Sequence, residues 1–374
     1  MRRLSGTPWP WVAGRSLWPI LFLLGCGDRS AQREVLRDVE GVPVEFSHDG
    51  LPLIPLRGEV LLEGDPLGLP ITLAVAGGQA IIGDAVLDPA VHILDLEGES
   101  ALRAFGARGE GPGEFTSSPR LIQLGEGFLE PGLWAVDPAQ ARMTLIPLDQ
   151  MGGDPSETAP TVTPLGLEYP IVDLKPFGSG FVAWGFFPGS RLALLDGEGN
   201  WTSGLGPIPA PAALDRLHEP LRHRAYQAWI ASEGSRVVAA SWRSSRIDVF
   251  ELAPSERHGW SYGPHPFSPD VHIPESERTN RVVFGSRNRA GHVGVAVSSE
   301  FILTLFSGRL QFGFRRDMDE AEFLHVYDWS PAFVRAFKLD RPVRAFSCED
   351  PSCRAVLALS WTPVPAIVRY RIPQ

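Results

Sequence analysis

The residues able to do chemistry are few and scattered along this 374-residue chain, and their spacing decides what each could do. Cys348 and Cys353 bracket the run Glu-Asp-Pro-Ser. In an oxidising compartment that spacing across an Asp-Pro turn can close a small disulfide, in preference to two free thiols. A zinc site would need further Cys or His at similar spacing, and none is near. His258, His265 and His272 share residues 254–280 with Trp260, Tyr262 and Phe267. That stretch reads as a long loop on one face, and loops on a rigid scaffold often carry recognition, so these residues are the candidate binding loop. Asp196-Gly197-Glu198-Gly199-Asn200 gathers oxygen ligands but lacks the distant Glu of an EF-hand, so it reads as a hairpin turn. Gly178-Ser179-Gly180 lacks the outer spacing of a nucleophile elbow, and no His-Glu-x-x-His zinc helix occurs. The Gly-rich run from Phe105 to Phe115 has no Gly-Lys-Ser/Thr end, and Glu110 and Glu114 would repel a phosphate. Its glycines, Gly109, Gly111 and Gly113, are expected to supply backbone angles closed to other residues, with Phe115 as a core plug. No catalytic set assembles from these parts.

The N-terminus is more specific. Arg2, Arg3 and Arg15 precede the apolar run Leu17–Leu24, and Gly25-Cys26-Gly27 follows at once. A basic flank, a short apolar core and small residues at a cleavage point make a secretory signal over residues 1–25. The run is far short of the roughly 20 apolar residues that cross a bilayer. Leu23-Leu24-Gly25-Cys26 resembles the bacterial lipobox, in which the cysteine is acylated and becomes the new N-terminus. Each buried acyl methylene contributes about 0.8 kcal/mol, so two or three chains on Cys26 would anchor the protein firmly in a membrane. Cleavage would remove three of the 34 basic residues and none of the 44 acidic ones, leaving 31 against 44, a net charge of −13. That balance argues against nucleic acid or an anionic lipid surface as partner.

The elements that must position everything else are strands. Hydrophobic residues make up 44% of the chain, enough for a sizeable core. Gly, Pro and Asp clusters break the sequence into short apolar runs such as Leu133–Asp137, Phe181–Trp184, Arg236–Ala240 and Phe301–Leu305. One strand type recurs: His92–Asp95, Met143–Ile146, Leu192–Asp196, Ile247–Phe250, His325–Trp329 and Ile367–Tyr370. Six occurrences about 55 residues apart predict six four-stranded blades around an axis, a ring that leaves few open sheet edges. The final unit, from Pro342 on, has room for three strands only. Gly58–Glu63 is expected to supply its fourth and so close the ring. Residues 26–57 read as a tether and lead-in segment, 58–374 as the propeller, and 212–231 as an insertion with a short helix. WD40 repeats have a shorter period and a Trp-Asp dipeptide, and Kelch repeats would need regular Gly-Gly pairs.

Phe105-Gly106-Ala107-Arg108-Gly109-Glu110-Gly111-Pro112-Gly113-Glu114-Phe115, followed by Pro119, resembles the inter-blade turn of NHL-like and TolB-like six-bladed propellers. Phe323–Trp329 with Phe333–Asp340 is similar to a blade of that family's lipoprotein members. The resemblance covers about residues 58–374 and implies an all-β six-bladed propeller in which Gly106, Gly109, Gly111, Pro112, Gly113, Glu114 and Phe115 are structural. It says little about activity, because one fold hosts many functions. Together these readings lead to a non-catalytic envelope propeller without a cofactor, anchored through its lipid and binding a protein, peptide or glycan. The rival is a propeller lyase or hydrolase with calcium or zinc held in the central channel.

Overall fold

In the computed structural model, the described residues are 51–97, 102–125, 130–146, 148, 160–209, 219–272, 283–311 and 320–373. The signal segment, Cys26 and most of the tether lie outside them. Strand follows strand in short antiparallel steps, and the hydrogen-bonded order sorts them into six blades, five sheets of four strands and one of five, with a separate two-stranded ladder. Blade one is Pro70–Ala76, Gln79–Asp84, Val91–Asp95 and Arg103–Phe105; blade two is Arg120–Leu124, Gly132–Asp137, Arg142–Ile146 and Val162–Pro164. Blade three is Ile171–Phe177, Gly180–Gly185, Leu192–Leu195 and Trp201–Leu205; blade four is Ala228–Glu233, Arg236–Ser241, Ile247–Glu251 and Arg257–Ser261. Blade five is His292–Val297, Ile302–Phe306, Ala321–Tyr327 and Phe333–Val343. Blade six takes Ala345–Cys348, Ala355–Ser360 and Ala366–Arg371 from the C-terminal end and Glu59–Glu63 from the other. Each of the six recurrent runs in the sequence falls on the third strand of a blade.

The ring closes twice over. The first strand of each blade neighbours the first strand of the next, from blade one through blade six and back to blade one. Apolar clusters fill the gaps between blades in the same order, because each central strand buries side chains on both faces. Leu94 and Ile82 of blade one, for instance, meet Leu357, Leu359 and Ile367 of blade six. That last interface depends on Glu59–Glu63, whose backbone pairs with Ala366–Arg369 along the outer edge.

Three local differences from the sequence reading have physical causes. Leu53–Leu56, expected in the lead-in, forms a parallel strand on the outer edge of blade five, pairing with Ala336–Leu339. Its alternation is short, and Leu56 alone is buried there, so periodicity gave no signal. The helix in the 212–231 insertion is confined to Glu219–Ala225 among the described residues, and Ala228–Glu233 is already the first strand of blade four. The stretch 254–280 is not one loop: Arg257–Ser261 is the outer strand of blade four, whose exposed side chains hide its strand character. Only beyond it does the chain leave the blade, and Val271–His272 then pairs with Val283–Phe284.

The Gly-rich run joins the outer strand of blade one to the first strand of blade two. Gly106 adopts φ +71°, and a Cβ there would collide with the ring of Phe115, which is fully buried between the two blades. Gly109 and Gly113 also have positive φ, but Gly111 does not. Gly111 instead donates its N–H to Glu114 Oε2 at 2.7 Å, and a Cβ there would lie 2.9 Å from that oxygen and push the carboxylate aside. Pro112 sits at the exposed tip. Arg142 of blade two donates to the carbonyls of Glu110, Gly111 and Glu114, which fixes the turn as a clamp.

Two outcomes test this frame. Phe115→Ala should destabilise the fold by about 3–5 kcal/mol, read from urea denaturation, because the cavity lies between rigid sheets. A chain ended at Pro365 should show no cooperative melt by calorimetry, since it lacks the strand on which Glu59–Glu63 closes.

Candidate functional site

Two places bring chemistry-bearing side chains together: the outer rim of blade four and the axis of the ring. At the rim, Trp260 is 53% exposed although it sits on a strand. The guanidinium of Arg246 lies 4.5 Å from its ring centroid, and Tyr262 meets it edge-on at 5.6 Å. Arg246 is itself held from below. It donates from Nε and Nη2 to Asp248 Oδ1 at 2.9 and 2.6 Å, and Asp248 is 1% exposed. His258 Nε2 reaches the same oxygen at 3.1 Å while its ring stacks on Phe250 at 4.4 Å. Arg191, fully buried on blade three, approaches Asp248 Oδ2 at 3.4 Å, donates to Ser241 Oγ at 2.8 Å and bonds the Tyr226 carbonyl. Burial pushes the Asp248 carboxyl up, but the His258 hydrogen bond and the two guanidinium groups outweigh it and hold it below the usual carboxylate range.

His265 and Phe267 of the expected binding loop are half-buried against blade five. Phe267 N–H donates to Ser245 Oγ, and its carbonyl accepts from Ser244 Oγ. Phe267 and His265 both lie against Phe306 of blade five, and His272 is in the two-residue ladder with Val283. Of the six residues, Trp260 and Tyr262 therefore meet at the rim with His258 beside them, while His265, Phe267 and His272 belong to the connection between blades four and five. The other expected sites are elsewhere: Cys348 and Cys353 are joined by a disulfide across the turn between the first two strands of blade six. Asp196 accepts from the Glu198 and Asn200 N–H groups and from Asn200 Nδ2, closing a hairpin with its own oxygens.

At the axis, the first strands of all six blades surround a cavity of about 100 Å3. Its lining changes character around the ring. Arg120 of blade two, Asp173 and Lys175 of blade three, and Arg344 before blade six carry charge; Trp229 and Trp242 of blade four are aromatic; blades one and five supply Ile71, Leu73, Val293 and Val295. Asp173 accepts from Lys175 Nζ at 3.2 Å and from the Leu174 N–H at 3.0 Å. Most of these residues lie on the first strands, with Trp242 just beyond the second strand of blade four and Arg344 just before blade six. Sequence reasoning missed the whole group, since its members are spread from 71 to 346 and only ring closure gathers them. Among the described residues, no group of three or more His, Cys, Asp and Glu is placed to hold a metal ion, and no helix is long and apolar enough to cross a membrane.

A second kind of residue was also missed. Asp84 and Asp137 end the second strands of blades one and two, and both are fully buried. Asp84 accepts from the N–H groups of Gly68, Val86 and Leu87; Asp137 accepts from Thr116 and Ala139. Each carboxylate ties its own turn to the strand connection arriving from the neighbouring blade. Glu320 does the like for blade six, accepting from the Trp361 N–H and Thr362 Oγ1. The signal was an Asp at the end of an apolar run, 53 residues apart in the two blades.

The profile of a family described as TolB-like 6-blade propeller-like matches residues 60–350. Among solved structures, a Bacteroides fragilis protein whose assignment as exported is provisional aligns at 11% identity with a TM-score of 0.53, covering 88% of this chain and 98% of that one. A luciferin-regenerating enzyme aligns at 9% identity and a TM-score of 0.48, over 85% of this chain and 95% of that one. Staphylococcus aureus virginiamycin B lyase aligns at 10% and 0.41, over 85% and 99%. At these identities the likeness is one of fold alone. No curated protein matches the chain significantly.

Two measurements probe the buried polar groups. Asp248→Asn leaves Arg191 buried without a counter-charge and should cost about 3–5 kcal/mol in urea denaturation. His292, fully buried, has its Nε2 against the Ser245 carbonyl and its Nδ1 against the Thr304 hydroxyl, the pattern of a neutral ring with hydrogen on Nε2. Burial lowers its pKa to about 4. The unfolded chain, with an ordinary value near 6.5, binds the proton first, so stability should fall as pH drops from about 6.5 toward 4 and level off below. The loss is on the order of 3 kcal/mol. Denaturation midpoints of His292→Asn should be flatter across that window than those of the wild type; equal slopes would contradict the assignment.

Proposed function

We propose, since this chain belongs to the TolB-like six-blade propeller family, that it is an exported lipoprotein whose propeller binds a protein, peptide or glycan partner without catalysis. The anchor in this reading is the acylated Cys26, and the export designation of the Bacteroides fragilis neighbour supports the same route. The observation that carries the binding role is the Trp260 rim. An exposed tryptophan is costly to hydrate, and here it is held in one orientation by Arg246, which a buried carboxylate fixes in turn. Trp, Tyr and Arg are the side chains on which partner binding most often concentrates, because they bury large area at little entropic cost once pre-positioned. Trp260, Tyr262 and Arg246 form such a set on the last strand of blade four and its margins.

A closed ring of sheets suits that task. The partner meets a surface that does not move, and the membrane keeps the local concentration of both molecules high.

The anchor and the rim are tested separately. Cys26→Ser should shift the protein from the membrane fraction to the soluble one; unchanged detergent partitioning would rule out the lipid. Affinity capture from envelope extracts should return a reproducible partner with the wild-type rim and at least tenfold less of it with Trp260→Ala. Equal recovery by the two proteins would remove the rim from the binding role.

A further inference from the structure

We infer that the axial cavity is a binding site for a small organic acid, its carboxylate held by Arg120 and its short apolar body lying against the aliphatic side chains of blades one and five. This proposal does not rest on the partner-binding reading of the rim.

Charge is the first observation. The chain as a whole carries a net charge of −10, yet the cavity is lined by three cationic side chains, Arg120, Lys175 and Arg344, and one carboxylate, Asp173. Lys175 is offset by Asp173, and Arg344 stacks on Trp361 with the Glu320 carboxylate close by, so the uncompensated positive charge in this half-buried space is that of Arg120. A cavity with low-dielectric walls concentrates that field instead of letting solvent dissipate it.

Hydrogen-bonding capacity points the same way. Asp173, the one acidic side chain, is already engaged by Lys175 Nζ and the Leu174 N–H. The Thr72 hydroxyl donates to the Pro119 carbonyl. What remains are donors. Arg120 uses Nε on the Val172 carbonyl at 3.2 Å, and its guanidinium faces the Trp229 ring at 5.6 Å. Its two terminal nitrogens make no hydrogen bond among the described residues. The indole N–H groups of Trp229 and Trp242 are buried and have no partner there either. A site made of donors, with a positive surplus, selects an oxyanion.

Shape narrows the class. A guanidinium presents two parallel N–H groups and so matches a carboxylate. The wall also includes Ile71 and Leu73 of blade one, beside blade two, and Val293 and Val295 of blade five, across the ring from it, which offer nothing to a fully hydrophilic ion. A few convergent polar groups on an apolar lining is the usual make-up of a small-molecule site. With a volume of about 100 Å3, the cavity admits a short aliphatic acid.

Calorimetric titration of the full-length protein in detergent, with butyrate, its neutral isostere butyramide and inorganic phosphate, tests the proposal. Butyrate should bind and raise the melting temperature, and butyramide and phosphate should bind at least tenfold more weakly. Arg120→Gln should weaken butyrate at least tenfold, while Arg257→Gln, on the outer strand of blade four, should match the wild type. Equal binding of butyrate and butyramide, tighter binding of phosphate, or a folded Arg120→Gln with unchanged butyrate affinity would each overturn it. Should Arg120→Gln fail to fold, Arg120→Lys keeps the charge and removes the guanidinium fork; it should lose about threefold, and no loss would overturn the site.

Discussion

No blade of this protein can bury its apolar surface alone. The middle strands of each sheet carry large side chains on both faces, so every blade needs a neighbour on either side. That requirement cannot be met by a row, only by a ring, and the ring is completed by one backbone ladder, Glu59–Glu63 on Ala366–Arg369. Once the ladder forms, the sixth inter-blade cluster, Leu94 and Ile82 against Leu357 and Ile367, exists on the same terms as the other five. Six interfaces then fix the axis, and the axis fixes what the first strands can present to one another.

Buried polar groups serve that geometry in two ways. Asp84, Asp137 and Glu320 accept backbone N–H groups or hydroxyls from turns that would otherwise leave them unsatisfied. They join adjacent blades where no sheet hydrogen bond reaches. Asp248 serves a different end: it gathers Arg191, Arg246 and His258 on one carboxylate and so transmits the rigidity of blades three and four to an exposed tryptophan. Polar satisfaction in the first case holds the frame; in the second it orients a surface.

Much of the frame was legible in the chain because strand signals repeat. His92–Asp95 and Ile367–Tyr370 read as the same strand in different blades, and the deficit of one strand after Pro342 pointed back to Gly58–Glu63. Exposed strands were harder. Arg257–Ser261 lacks an apolar alternation because neither face is covered, and Leu53–Leu56 is too short to show one. The sites were the least legible. Arg120, Lys175, Trp229 and Arg344 have no sequence relation to one another, and their meeting is a property of closure rather than of any segment. The aromatic stretch after His258 did draw notice, yet its composition could not tell Trp260, which faces solvent, from Phe267, which is packed against Phe306.

The parallel strand Leu53–Leu56 has a mechanical meaning. The chain running in from the N-terminus meets blade five there before it crosses to the seam of blade six. A pull on that segment is therefore borne first by a four-residue ladder on the outer edge, whose loss exposes little apolar surface. Only after it detaches does tension reach the strand that keeps the circle shut. The short ladder therefore stands ahead of the seam along the chain, and of its four residues only Leu56 is buried in the core.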